Sequence, residues 1–247
     1  MVKNVWITGD LHGDYSPVAK FYVEHRDELS ENRLDNLLIV LGDFGANYFF
    51  NARDRAFKER LAKFPLTYFV IRGNHEERPS VMLEKNPMSW SAFESTAVGG
   101  TIYFEDNYPY IMYAKDEGGD YCINGKTICV IPGAYSIDKE YRLRNGWSWF
   151  SGEQMTEIEK TNLLKNLAPH YDYIFSHTCP LSWEPQICDL FFDGIDESKV
   201  DKSMESFLDK VISKTTYGEY FFGHFHDDRD LENNAHMLFH KAVKLTK

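Results

Sequence analysis

The sequence predicts a mixed α/β layered fold, and three observations carry that prediction. Short, continuous apolar runs rich in β-favouring residues recur along the chain, each stopped at once by Gly, Ser or a polar cluster. Segments with helical periodicity lie between several of these runs, and residues 98–131 are dense in hairpin signals. Apolar runs that do not alternate with polar residues belong to strands covered on both faces.

Taken in order, the first run, NVWIT, leads into GDLHGD, and residues 15–30 follow with a helical period. NLLIVL runs into GDF, and residues 51–63, NARDRAFKERLAK, are helical again. LTYFVI leads to RGNHE. In the middle, YCINGKTIC reads as a hairpin turning at Asn124-Gly125, which pairs Cys122 with Thr127. KTICVI stops at PGAY. Residues 151–167 form the next helical segment, opened by Ser151 and Gln154 in capping-box spacing or by Gly152 with acids in the first turn. YDYIF ends at SHTCP, and residues 180–200 carry no clear period, as expected of a loop or cap near a site. A helical segment over 201–214 and the run EYFF, ending at GHFH, complete the pattern.

The 247 residues fit one domain spanning 1–247. A hydrophobic fraction of 43%, with 18 Phe and 15 Tyr, is ample for a filled core. The formal charge of −11 argues against an extended nucleic-acid surface, which needs clustered cations, but leaves room for a small phosphorylated substrate in a locally positive pocket. The N-terminal MVKNVWITGD lacks the basic and apolar regions of a secretion signal, and no run approaches the roughly 20 apolar residues of a membrane span. A cytoplasmic protein with no membrane partner is expected. The four cysteines show no C-x-x-C spacing and read as buried thiols.

In open α/β sheets, ligands bind beyond the carboxyl ends of the strands. Asp10 and His12 follow the first strand, Asp43 the second, Asn74 and His75 the third, His177 a later one, and His224 and His226 the last. Residues i and i+2 of extended chain project to one side, so His224 and His226 can reach one place. Alone, that pair reads equally as accident, proton relay or half of a metal site. With five of nine histidines on one predicted rim, the pair reads as ligands.

These residues stand in five motifs: Asp10-Leu11-His12-Gly13, Gly42-Asp43, Gly73 to Glu76, a lone His177 after a strand, and Gly223 to His226. In that order and spacing they resemble the calcineurin-like metallophosphoesterases, whose Ser/Thr protein phosphatase branch carries the RGNHE form. The resemblance spans residues 10 to 226. It implies a four-layer α/β/β/α sandwich of two mixed β-sheets flanked by helices. It also implies two divalent transition-metal ions, Mn first, with Fe, Zn, Ni or Co as alternatives. One ion would be held by Asp10, His12 and His226 and the other by Asn74, His177 and His224, with Asp43 bridging. His75 would contact the substrate phosphate and protonate the leaving group after attack by a metal-activated hydroxide. Independently, a mixed imidazole, carboxylate and amide set suits such ions. With only two carboxylates against two divalent ions the shell stays at about +2, attractive to an anionic ester. Glu76 is expected to stabilise its turn, and the run NYFFNARDRAF to be a packed helix start.

The match departs from the phosphatase branch at Asn47, where those enzymes carry a phosphate-gripping arginine four residues after the bridging aspartate. Arg53, Arg55 and Arg72 are substitutes by type. Arg142 and Arg144, in PGAYSIDKEYRLRNGWSWF at the same rim, are the preferred substrate-binding pair. RGNHE leans towards phosphomonoester or phosphoprotein substrates, while Asn47 leans away. Phosphodiesterase, nuclease, and cyclic-nucleotide or dinucleoside-polyphosphate hydrolase activities share the same core and stay open, as does a non-catalytic scaffold.

Overall fold

The structure, a computed structural model, describes residues 1–191 and 199–245. Two mixed sheets face each other. The first has seven strands in the order β13 (Val243–Lys244), β1 (Asn4–Thr8), β2 (Asn36–Val40), β3 (Thr67–Val70), β6 (Ile111–Ala114), β5 (Gly100–Glu105) and β4 (Trp90–Ser95). Its centre, β1 to β3 and β6, is parallel, and its edges are antiparallel. The second has six strands in the order β11 (Arg229–Leu231), β12 (Ala235–Met237), β10 (Thr216–Phe222), β9 (His170–Ser176), β8 (Lys126–Ile131) and β7 (Gly119–Ile123). It too is parallel in the middle, with antiparallel edges at β11 and β7.

The period of two along each strand sorts its apolar side chains into separate cores. Val5, Ile7, Leu37, Ile39, Phe69 and Ile71 pack between the sheets against Ile128, Val130 and Phe175. Their neighbours Trp6, Leu38, Val40, Tyr68 and Val70 face the other way. There they meet α1 (Ser16–His25), α2 (Ala52–Leu61) and α3 (Pro79–Lys85) through Phe21, Phe57 and Met82. On the far side Cys129, Ile174, Tyr220 and Phe222 meet α5 (Glu157–Asn166) and α6 (Ser203–Lys214) through Leu163, Phe207 and Val211. Three apolar layers thus hold four structural layers, and the unbroken apolar runs of the sequence are strands covered on both faces. Burying one such Leu, Ile or Phe contributes about 2 kcal/mol.

The hairpin between β7 and β8 turns at Asn124 (φ 53°) and Gly125 (φ 86°) and pairs Cys122 with Thr127, as its spacing predicts. Three features differ from expectation. The helix read over 151–167 starts at Glu157, with the capping box at Thr156 and Glu159 rather than at Ser151 and Gln154. The carbonyls of Gly152 and Gln154 accept from Arg78 (2.9 and 2.7 Å), and that of Glu153 from Arg72 (2.8 Å), so these residues are tied across the chain before a helix can begin. A six-residue helix, α4 (Lys139–Arg144), lies within the loop after β8. Of the four cysteines, Cys129 and Cys179 are buried but Cys122 and Cys188 are exposed, and all are free; Cys122 points outward from edge strand β7. Up to residue 191, the expected loop or cap over 180–200 forms two short 3-10 turns, Leu181–Gln186 and Cys188–Leu190; its residues 192–198 lie outside those described.

Candidate metal centre

The parallel strands β1, β2, β3, β9 and β10 all end at one rim, and each releases a motif there. The chain bends sharply as it leaves them. His12 (φ 49°), Asp43 (φ 43°), His224 (φ 72°) and His226 (φ 55°) all adopt the left-handed region that non-glycine residues avoid. Such strain persists where surrounding structure enforces it, and it concentrates at functional sites. Two motif glycines show why the turns are so close. A Cβ on Gly42, itself at φ +111°, would stand 2.1 Å from Nδ1 of His177, and one on Gly223 would stand 2.3 Å from Oδ1 of Asp10.

The turns bring together the side chains of Asp10, His12, Asp43, Asn74, His75, His177, His224 and His226. Nε2 of His12 and Nε2 of His226 are 2.8 Å apart, and each approaches Oδ2 of Asp10, at 3.7 and 3.3 Å. Asp43 turns its two oxygens to different neighbours: Oδ1 lies 3.5 Å from Nε2 of His177, and Oδ2 lies 4.0 Å from Nδ1 of His12 and 3.8 Å from Nε2 of His75. The His177 and His224 rings pack edge to face at 5.0 Å. Among the described residues, ligand atoms of Asp10, His12 and His226, and of Asp10, Asp43 and His177, cluster closely enough to share an ion. Asp10 is common to the two groups, and Asp43 stands in the second alone.

Hydrogen bonds fix which atoms face inward. The Leu41 carbonyl can only accept, so Nδ1 of His177, 2.7 Å away, carries a proton. Ser136 donates to Glu153 at 2.5 Å and therefore accepts from Nδ2 of Asn74 at 2.9 Å, which turns Oδ1 of Asn74 towards Nε2 of His177 at 2.9 Å. That nitrogen faces two acceptor oxygens, from Asn74 and Asp43, and needs a proton or a cation between them. Oδ2 of Asp10 is buried and makes no hydrogen bond, although His226 is near.

The electrostatics say the same. Burial alone would raise the Asp43 carboxyl, but the surrounding imidazoles of His75, His177 and His12 hold it well below its ordinary value. Burial would lower His177, yet the carboxylates of Asp43 and Asp10 push it up to about 9. Burial, helped by the neighbouring His177, drives His224 down. The cluster is short of positive charge, and the donor set fits divalent transition-metal ions.

Around this cluster the arginines separate. Arg142 points in: its Nη2 donates to Nε2 of His75 at 3.0 Å and its Nη1 to the Tyr48 hydroxyl at 2.7 Å, while Nε contacts both oxygens of Asp138 at 2.8 Å. A guanidinium cannot accept, so Nε2 of His75 does. Arg144 is turned to solvent, with its side chain 78% exposed and 4.0 Å from Glu140. Arg72 is buried against Asp116 at 3.3 Å and holds the chain after β3 rather than reaching the rim. Asn47 is buried and accepts from Lys58 at 3.3 Å, so the position of the missing phosphatase arginine faces the interior. Glu76 is buried and accepts from the backbone N–H groups of Gly73 (3.0 Å) and Phe44 (3.4 Å), tying two motif loops together.

Sequence reasoning passed over Tyr48, Asp138 and Ser136. Asp138 had a signal, since it precedes Arg142 by four residues, the spacing of a helical ion pair. Tyr48 lies in the aromatic run after Gly42-Asp43, and its link to Arg142 spans 94 residues. Ser136 had none.

A solved protein of unknown function from Aquifex aeolicus aligns over 98% of this chain and 95% of its own, at 13% identity and a TM-score of 0.39. No curated protein matches the sequence. No helix among the described residues is long and apolar enough to cross a membrane. The calcineurin-like phosphoesterase family profile matches residues 3–228, which takes in every motif described above, and the chain belongs to that family.

Proposed function

We propose that this chain hydrolyses phosphate esters, of a small molecule or a phosphoprotein, at a pair of divalent ions. In this reading Asp10, His12 and His226 hold one ion, Asn74, His177 and His224 hold the other, and Asp43 lies between them. The observation that carries it is the Asp43 carboxylate, whose two oxygens address His177 on one side and His12 on the other. The partnerless buried oxygen of Asp10 and the facing acceptors at His177 support cations in both places. Mn, Fe, Zn, Ni and Co all suit the mixed donor set. Such ions, when bound, activate water and neutralise the charge that develops on phosphate.

The chain's own groups have separate tasks. Arg142, held by Asp138 and Tyr48, binds a phosphate oxygen. A phosphate entering there takes Arg142 away from Nε2 of His75, and that nitrogen then holds a proton towards the leaving oxygen. The test is hydrolysis of a chromogenic phosphate ester with added Mn. His75→Asn lowers kcat by about 10²-fold with metal content retained. Equal rates before and after exhaustive chelation would contradict the reading.

A further inference from the structure

Two cavities meet at this centre, and His12, His75 and Arg142 line both. A phosphate held at His12, His75 and Arg142 is thus within reach of both cavities. The larger cavity, 640 Å³, reaches Phe191, Phe225 and Glu205. Glu205 is buried and accepts from the Thr178 hydroxyl at 2.9 Å through Oε1, while Oε2 has no hydrogen-bond partner. A buried carboxyl oxygen without a partner in the wall of a cavity is a position that a polar group of a ligand would satisfy.

The smaller cavity, 200 Å³, lies among Tyr48, Phe49 and Trp147. Phe49 is 41% and Trp147 53% exposed, which is unusual for rings of that size standing beside a functional cluster. Both are braced edge to face, Phe49 by Tyr48 at 4.6 Å and Trp147 by Tyr141 at 5.5 Å. Braced, exposed rings beside a guanidinium form a slot suited to a flat aromatic group.

A monoester has one organic group and fills one of these cavities. We infer that the substrate is a phosphodiester whose aromatic ester arm lies in the Tyr48–Phe49–Trp147 slot and whose other arm enters the larger cavity towards Glu205. This rests on the phosphoesterase reading above, and it turns the sequence's lean towards monoesters around. In the reaction the oxygen of water bonds to phosphorus and the bond from phosphorus to the leaving arm's oxygen breaks. The leaving oxygen takes up one proton of the water, and the other is released as the monoester product ionises.

The experiment uses the metal-loaded full chain and three substrates with one leaving group: 4-nitrophenyl phenyl phosphate, methyl 4-nitrophenyl phosphate and 4-nitrophenyl phosphate. The wild type turns over the phenyl diester with the highest kcat/KM. Trp147→Ala, a change at an exposed ring, lowers that value about ten-fold. A preference for the monoester, or a Trp147→Ala variant with wild-type kcat/KM on the phenyl diester, would overturn the diester inference while leaving the phosphoesterase reading intact. No turnover of any of the three would overturn both.

Discussion

Arg142 donates to Nε2 of His75 at 3.0 Å, joining the loop after β8 to the motif after β3 across 67 residues of chain. The guanidinium is already oriented, since Asp138 holds its Nε and the Tyr48 hydroxyl holds its Nη1, leaving two N–H donors for a ligand. Orientation before binding is what lets a charge-assisted contact contribute its full strength. Arg142→Ala is therefore expected to lower kcat/KM about ten- to hundred-fold, mainly through KM, with metal content unchanged. Steady-state kinetics beside elemental analysis check this. Arg144→Ala, at a solvent-facing position, is expected to change neither.

Gly42 is the seat of His177. Any side chain there meets Nδ1 of that ring at 2.1 Å, at a φ of +111° that disfavours L-residues. Gly42→Ala is expected to cost about 3 kcal/mol of stability and to weaken metal binding, because the ring must move off the Leu41 carbonyl that orients it. Chemical denaturation and metal titration of the variant measure the two effects separately. Wild-type stability with wild-type affinity would contradict the packing described here.

Burial raises the Glu205 carboxyl from 4.5 to about 7. Its folded value lies above its ordinary one, so the fold favours the protonated form. The stability this contributes is whole below pH 4.5 and is lost as pH rises through about 7. The loss is on the order of 3 kcal/mol. Glu205→Gln, which keeps an acceptor for Thr178, is expected to flatten that part of the stability profile. Denaturant unfolding of both proteins between pH 4.5 and 8 reads the difference, and parallel profiles would refute the assignment.

Much of the fold was legible in the sequence, for an identifiable reason. The central strands are covered on both faces, so their apolar runs are unbroken, and each ends at the rim where polar residues begin. NVWIT, NLLIVL and KTICVI could hardly be read otherwise. The motif residues were legible because the turns that carry them need glycine beside the polar group. What escaped depends on contacts between distant segments. The start of α5 is displaced because Arg72 and Arg78 bind the carbonyls of residues 152–154. The partner of Arg142 in the G-D loop is Tyr48 rather than Asn47, because the loop turns Asn47 inward to Lys58. The aromatic run after Gly42-Asp43 divides likewise. Phe57 packs in the core while Phe49 stays at the surface beside the site, and no local pattern separates them.

Asp43 turns its two oxygens to His177 and to His12, and metal stoichiometry tests directly whether that carboxylate joins two ions. Purified protein stripped of metal and reconstituted with Mn should hold two ions per chain by elemental analysis after gel filtration, and Asp43→Asn fewer than one. A wild-type protein that retains no ion, or an Asp43→Asn variant that retains both, would contradict it.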